Sequence, residues 1–209
     1  MIKESKIMRD RFASIVSIAT FPLLMPTYAL GIVFLCSYMR FFDTAILWAV
    51  TAATFVVTAV VPAIGIYLMY RLGKITDVAL NKQSERLVPF VVTILTYFAT
   101  ALYFARLHAP GWMSAFMVGA AVALIAAAVI NLWWKISGHS MGMGGLTALG
   151  LFLAVKGSLT AFGYLLPLGL LVLAGLVGTC RLLLGRHTLG QVGAGFALGF
   201  AAIYISMIV

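Results

Sequence analysis

Three polar clusters interrupt an otherwise apolar chain, and their residue types suit one chemistry. The first holds Lys82 and Arg86, four residues apart and so on one face if the segment is helical, with Pro89 just beyond. The second is Ser137-Gly138-His139-Ser140, followed by glycines at 142, 144 and 145. The third starts at Arg181, reaches His187 after five intervening residues and Gln191 after three more. His187 and Gln191 are spaced to touch on a helix. Arginine and lysine hold phosphoryl oxygens. A helix start at Ser137 and Gly138 offers an anion its unpaired N–H groups and positive dipole end. Neutral imidazole is nucleophilic near pH 7, and a second imidazole is a usable general acid. These groups together read as a phosphate site with its own acid and base.

The rest of the chain narrows the chemistry. The acids are Glu4, Asp10, Asp43, Asp77 and Glu85, with none after Glu85. A paired-carboxylate hydrolase, a Ser-His-Asp triad or an acidic magnesium site cannot be assembled from the second half. A three-histidine metal site would use His108, His139 and His187 and leave no acid or base. The two cysteines, Cys36 and Cys180, form neither a disulfide framework nor a four-cysteine zinc site, and read as small buried thiols.

The elements that must position these groups are membrane helices. The 209 residues are 64% hydrophobic and 9% charged, with a mean hydropathy of +1.12. Soluble domains carry roughly 45–50% apolar and about 25% charged residues. That excludes a soluble enzyme, a disordered chain and a nucleic-acid-binding domain, despite the net charge of +9. The expected fold is all-α: one membrane domain over residues 1–209, a polytopic bundle of about seven transmembrane helices. The apolar runs predict spans near 13–38, 44–70, 88–106, 112–134, 141–158, 161–179 and 189–208. The first run is longer than a signal-peptide core and lacks a cleavage site, so it reads as a retained helix. Pro22, Pro26 and Pro62 fall inside spans as kinks.

With seven spans, the three clusters emerge on the face that carries the N-terminus. That face holds Lys3, Lys6, Arg9, Arg11, Arg71, Lys74, Lys82, Arg86, Lys135, Arg181 and Arg186, against Arg40, Arg106 and Lys156 opposite. The positive-inside rule puts the richer face in the cytoplasm. The expected location is a bacterial inner membrane with the site facing inward.

These residues resemble the type-2 phosphatidic acid phosphatase superfamily, membrane lipid phosphatases related to vanadium haloperoxidases. Its motifs read Lys-x6-Arg-Pro, Pro-Ser-Gly-His and Ser-Arg-x5-His-x3-Asp. The resemblance covers about residues 82–199 and is most specific at Arg181, His187 and the preceding Ser137-Gly138-His139. It implies phosphoryl transfer through a phosphohistidine on His187, with His139 protonating the leaving group. It also implies that Lys82, Arg86, Ser137, Gly138 and Arg181 bind phosphate, with no metal and no cofactor. The family's nucleophile-orienting Asp is Gln191 here. A Gln carbonyl can still accept the Nδ1–H of His187 and fix its tautomer. Only Asp77 or Glu85 could supply a carboxylate in its place. The implied partners are the bilayer and a membrane lipid phosphate: phosphatidic acid, phosphatidylglycerophosphate, a polyprenyl diphosphate or lipid A phosphate.

Other basic and aromatic residues have blander readings. Lys135 and Arg186 read as snorkelling interface charges, Lys156 as an anchor, Trp133-Trp134 as an aromatic belt, and His108 as a loop histidine opposite the site. The rival function is a phospholipid-binding or transport protein on the same scaffold, weakened by Gln191. A magnesium-dependent prenyltransferase would need two aspartate clusters that this chain lacks.

Overall fold

The computed structural model describes residues 2–78, 80 and 82–209, with the side chains of Ile2 and Lys3 outside the description. Ala79 and Asn81, in the polar segment ahead of Arg86, also lie outside it, as does the Lys3 side chain counted in the charge bias. The described helices are α1 (Ile2–Ala19), α2 (Met25–Cys36), α3 (Thr44–Phe55), α4 (Val61–Arg71), α5 (Leu87–Arg106), α6 (Gly111–Ile130), α7 (Gly138–Val155), α8 (Leu165–Leu183) and α9 (Leu189–Ile208). No strand occurs among the described residues, only an isolated bridge between Ser37 and Leu159. Seven helical segments are long and apolar enough to cross a membrane, with α1–α2 forming one and α3–α4 another. The chain is an all-α polytopic bundle and an integral membrane protein.

Proline explains where helices begin. Pro22 opens a single 3-10 turn, and Pro26 and Pro62 lie in the first turns of α2 and α4. Pro89 and Pro167 stand in the first turns of α5 and α8, and Pro110 caps α6. A missing N–H costs nothing in a first turn, where no carbonyl waits for it. The expected kink at Pro22 is therefore a break: α1 stops at Ala19, Phe21 is extended, and α2 restarts at Met25. Before Pro62, a π turn at Val56–Val60 joins α3 to α4.

The core sits around α7, which packs against α8 and α9, while α6 packs against α5 and α9. Almost every α7 residue from Ser140 to Leu153 is buried. Small residues allow this. A Cβ on Gly199 would lie 1.9 Å from the Met141 carbonyl oxygen, and one on Gly195 would lie 2.5 Å from that of Ser137. The α9 backbone thus rests directly on the first turn of α7. In a bilayer, where lipid is as apolar as leucine, such close packing drives helix association. Outward residues such as Leu168, Leu171 and Val172 on α8 stay exposed and apolar, as lipid contact requires.

Three spans shift most from their expected bounds, the first by starting at Glu4 instead of near residue 13. The sixth begins at Leu165, because residues 158–164 turn back to bond the end of α2: the Thr160 N–H donates to the Cys36 carbonyl at 2.8 Å. Phe162 and Gly163 there adopt left-handed backbone conformations. The helix consequently ends at Leu183 and carries Arg181 in its last turn instead of in a connection. The fourth span stops at Ile130, leaving Trp133 and Trp134 exposed beyond it. Both cysteines are free and buried.

Candidate functional site

The site assembles from helix termini. At the start of α9, Thr188 is the N-cap, and Thr188 with Gln191 forms a capping box. The Thr188 N–H donates to Gln191 Oε1 at 3.2 Å, and the Gln191 N–H donates to Thr188 Oγ1 at 3.4 Å. His187 Nδ1 lies 3.1 Å from the same Oε1. The Thr188 N–H can only donate, which identifies that Gln191 atom as oxygen. An oxygen can only accept, so His187 carries its proton on Nδ1 and leaves Nε2 as the lone-pair nitrogen. His187 is buried at 8% exposure. Burial pushes its pKa down to about 4, helped by the charges of Arg181, Lys135 and Arg86 and opposed by the Gln191 hydrogen bond. The ring is therefore neutral and nucleophilic through the physiological range.

At the start of α7, Ser137 is the N-cap and is fully buried. Its Oγ accepts from the Ser140 N–H at 3.4 Å and lies 3.0 Å from Ser140 Oγ. Its own N–H donates to the Gln191 carbonyl at 3.3 Å, joining the two helix starts that hold the histidines. His139 Nε2 lies 3.0 Å from the Ser17 carbonyl oxygen of α1, and its ring meets Phe21 edge-on at 6.0 Å. A carbonyl only accepts, so Nε2 bears the proton and Nδ1 is the nitrogen free to exchange one.

Two arginines complete the cluster. Arg86, just before α5, donates through Nε to the Leu80 carbonyl at 2.9 Å and through Nη1 to that of Ile136 at 3.4 Å. Arg181, in the last turn of α8, has its Nε buried with no hydrogen-bond partner. Among the described residues no carboxylate pairs with either arginine. A buried donor without a partner costs about 1–3 kcal/mol, and more when charged. An anion would relieve that cost.

Arg86, Gly138, His139, Arg181 and His187 line one cavity of about 160 Å³. These five lie at helix starts, at a helix end or just before α5, so they mark one end of it. The rest of its wall is almost wholly apolar, including Met25, Phe90, Tyr97, Phe116, Leu124 and Ile203.

The other expected site residues lie outside this lining. Ser137 acts as cap and link between helices, with its hydroxyl turned to Ser140. Gln191 reaches the cavity only through His187. Lys82 is exposed and lies 3.6 Å from Glu85. Asp77 and Glu85 do not line the cavity either, and Glu85 accepts from the N–H and hydroxyl of Thr76 at 3.0 and 2.9 Å. Neither acid replaces Gln191 beside His187. Among the described residues no three His, Cys, Asp or Glu side chains gather as metal ligands would.

Some contributors lay beyond the sequence reading. The Ser17 carbonyl orients His139, and no residue type announces a backbone carbonyl. Gln83 and Asn131 clasp each other: the Gln83 amide donates to the Asn131 carbonyl, and Asn131 Nδ2 donates to the Gln83 carbonyl at 2.9 Å. This ties the segment ahead of Arg86 to the end of α6. Thr188-x-x-Gln191 was legible as a capping box. Lys135, read as an interface charge, is half-buried, and its pKa falls through burial and the charges of Arg86, Arg181 and Arg186. Comparison with protein-family models, with curated proteins and with solved structures returns no match for this chain.

Proposed function

We propose that this protein is a lipid phosphate phosphatase of the type-2 phosphatidic acid phosphatase kind, working on the cytoplasmic face of a bacterial inner membrane. One observation carries the reading. Arg181, with its unpartnered Nε, Arg86, His139 and the neutral His187 share the polar end of a cavity that is otherwise apolar. A phosphate monoester with a hydrocarbon tail matches both halves.

In the proposed reaction, His187 Nε2 attacks phosphorus in line. The ester P–O bond breaks, and its electron pair leaves with the lipid oxygen. His139 Nδ1 relays the proton of the phosphate monoanion to that oxygen, and later hands the proton it takes from water to the departing phosphate. Arg86 and Arg181 balance charge on the equatorial oxygens, the main requirement of phosphoryl transfer. Water then attacks the phosphohistidine, the P–N bond returns its pair to Nε2, and His139 Nδ1 takes the water proton. The Ser17 carbonyl holds the His139 Nε2–H through both steps, and Gln191 holds the His187 Nδ1–H.

The test is phosphate release by the purified protein in detergent, with EDTA, from phosphatidic acid, phosphatidylglycerophosphate and a polyprenyl diphosphate. Release that disappears in His187→Ala supports the reading. A second reading, lipid binding or transport without hydrolysis, draws on the amide at Gln191, which gives a phosphohistidine no carboxylate to lean on. Tight binding of the same lipids with no phosphate release would favour it.

A further inference from the structure

The cavity's dimensions carry the reading past the head group. Ile203 packs on Gly145 of α7, seven residues past Gly138, so at 1.5 Å per residue it lies about 10 Å below the charged end, and Phe116 is about one turn of α6 deeper. Tyr97, eleven residues past Arg86, gives a depth of about 16 Å along α5. One leaflet's hydrocarbon is about 15 Å deep, half the usual core. The cavity therefore reaches about 10–16 Å inward from the charged end, up to about one leaflet's depth.

Its width is small. A buried space of about 150 Å³ holds one benzene, and here about 160 Å³ is drawn out over that depth. By that measure the space takes about six carbons of a single chain, and two acyl chains side by side do not fit. It ends against Phe116 and Pro26. Both residues also wall a second void of about 10 Å³, bordered by Val33, Phe104, Met113 and Leu149. Phe116 is buried at 6% exposure and stands between the two spaces.

We propose that a single hydrocarbon chain of the phosphate lipid enters the bundle through this cavity, and that Phe116 is its floor and sets the tail length accepted. Any second chain stays in the bilayer. The inference rests on the phosphate reading for what sits at Arg86 and Arg181, but not on hydrolysis.

The test is photo-crosslinking in nanodiscs with n-alkyl phosphates carrying a diazirine at the tail end, from butyl to hexadecyl, mapped by mass spectrometry. Long probes should label Phe116, Met117 or Ile203, and short ones should label residues nearer the polar end, such as Phe90. Phe116→Trp should remove floor labelling by the longest probes. Phe116→Leu, a milder change, should extend labelling to Met113 and Leu149. Phe98→Ala, on an exposed part of α5, should change nothing. Labelling confined to exposed residues such as Leu102 and Val122, for probes of every length, would overturn the proposal in the wild-type protein alone. Floor labelling without phosphate release from any lipid would uphold the tail slot and count against hydrolysis instead.

Discussion

At the seam between α7 and α9 the backbones touch, whereas the segment between α4 and α5 is held by side-chain hydrogen bonds. The seam carries His139 and His187 at adjoining helix starts, with Gly195 and Gly199 against the Ser137 and Met141 carbonyls. The segment carries Arg86, secured by the Gln83–Asn131 clasp and by Glu85 on Thr76. The difference assigns separate tasks. Close-packed backbone cannot yield by a fraction of an ångström, so it suits a nucleophile whose attack geometry is demanding. These hydrogen bonds, part-buried at the clasp and exposed at Thr76, are worth about 1 kcal/mol each, so this is the less firmly held of the two regions. Changes in the seam should therefore destroy the site, and changes in the segment should weaken binding.

The largest expected effect is in the seam. Gly199→Val places carbon against a carbonyl that has no room to move. Overpacking of this kind costs about 1–3 kcal/mol where neighbours can adjust, and here the obstacle is backbone. The variant should melt well below wild type in a thermal unfolding scan and show no turnover. A wild-type melting temperature would break the comparison.

Next come the two cation positions. Removing a preorganised donor from a reacting oxyanion costs about 10²–10³ in rate, so Arg181→Ala should lower kcat by about that factor. Lys82 is exposed and paired only at the surface, where ion pairs contribute about 0–1 kcal/mol. Lys82→Ala should thus change kcat/KM by no more than about fivefold. Equal losses from both variants, measured side by side, would return Lys82 to the site.

A smaller effect is expected at the clasp. Gln83→Ala removes one hydrogen bond directly and loosens the partner bond from Asn131. At about 1 kcal/mol per bond, KM should rise by up to about tenfold while kcat stays near wild type. A fall in kcat with unchanged KM would show that the segment takes part in the chemistry.

The subtlest prediction concerns pH. His187 is held at about 4, mainly by burial. Above that pH the ring is neutral and can attack, and below it the ring is protonated and cannot. The acid limb of kcat/KM should therefore fall near pH 4 instead of near the ordinary histidine value of about 6.5. Gln191→Glu keeps an oxygen acceptor for both N–H groups and adds a negative charge, which favours imidazolium. Its acid limb should move upward, toward neutrality. An unmoved limb would mean that Gln191 serves as a helix cap and no more.

The spans were legible because lipid selects long apolar runs, and the joining of three distant clusters was legible from helix parity. The His187–Gln191 contact followed from i,i+4 spacing. Three features were not legible. Arg86 and Lys82 look alike in sequence, and only the packing sends one into the cavity and leaves the other at the surface. Ser137 has the residue type of a phosphate ligand, yet burial between two helix starts turns its hydroxyl inward. The orientation of His139 depends on the break after Ala19, where Pro22 stops one helix and brings the Ser17 carbonyl to the ring. That is a tertiary meeting between residues 122 positions apart, and local pattern carries no trace of it.

The most direct measurement is to trap the covalent intermediate. Purified protein would be mixed with a lipid phosphate, quenched in alkali where phosphohistidine survives, digested and read by mass spectrometry. Phosphate is expected on His187, absent in His187→Ala and still formed in Gln191→Glu. Phosphate release with no label on His187, or release that persists in His187→Ala, would contradict the phosphohistidine mechanism.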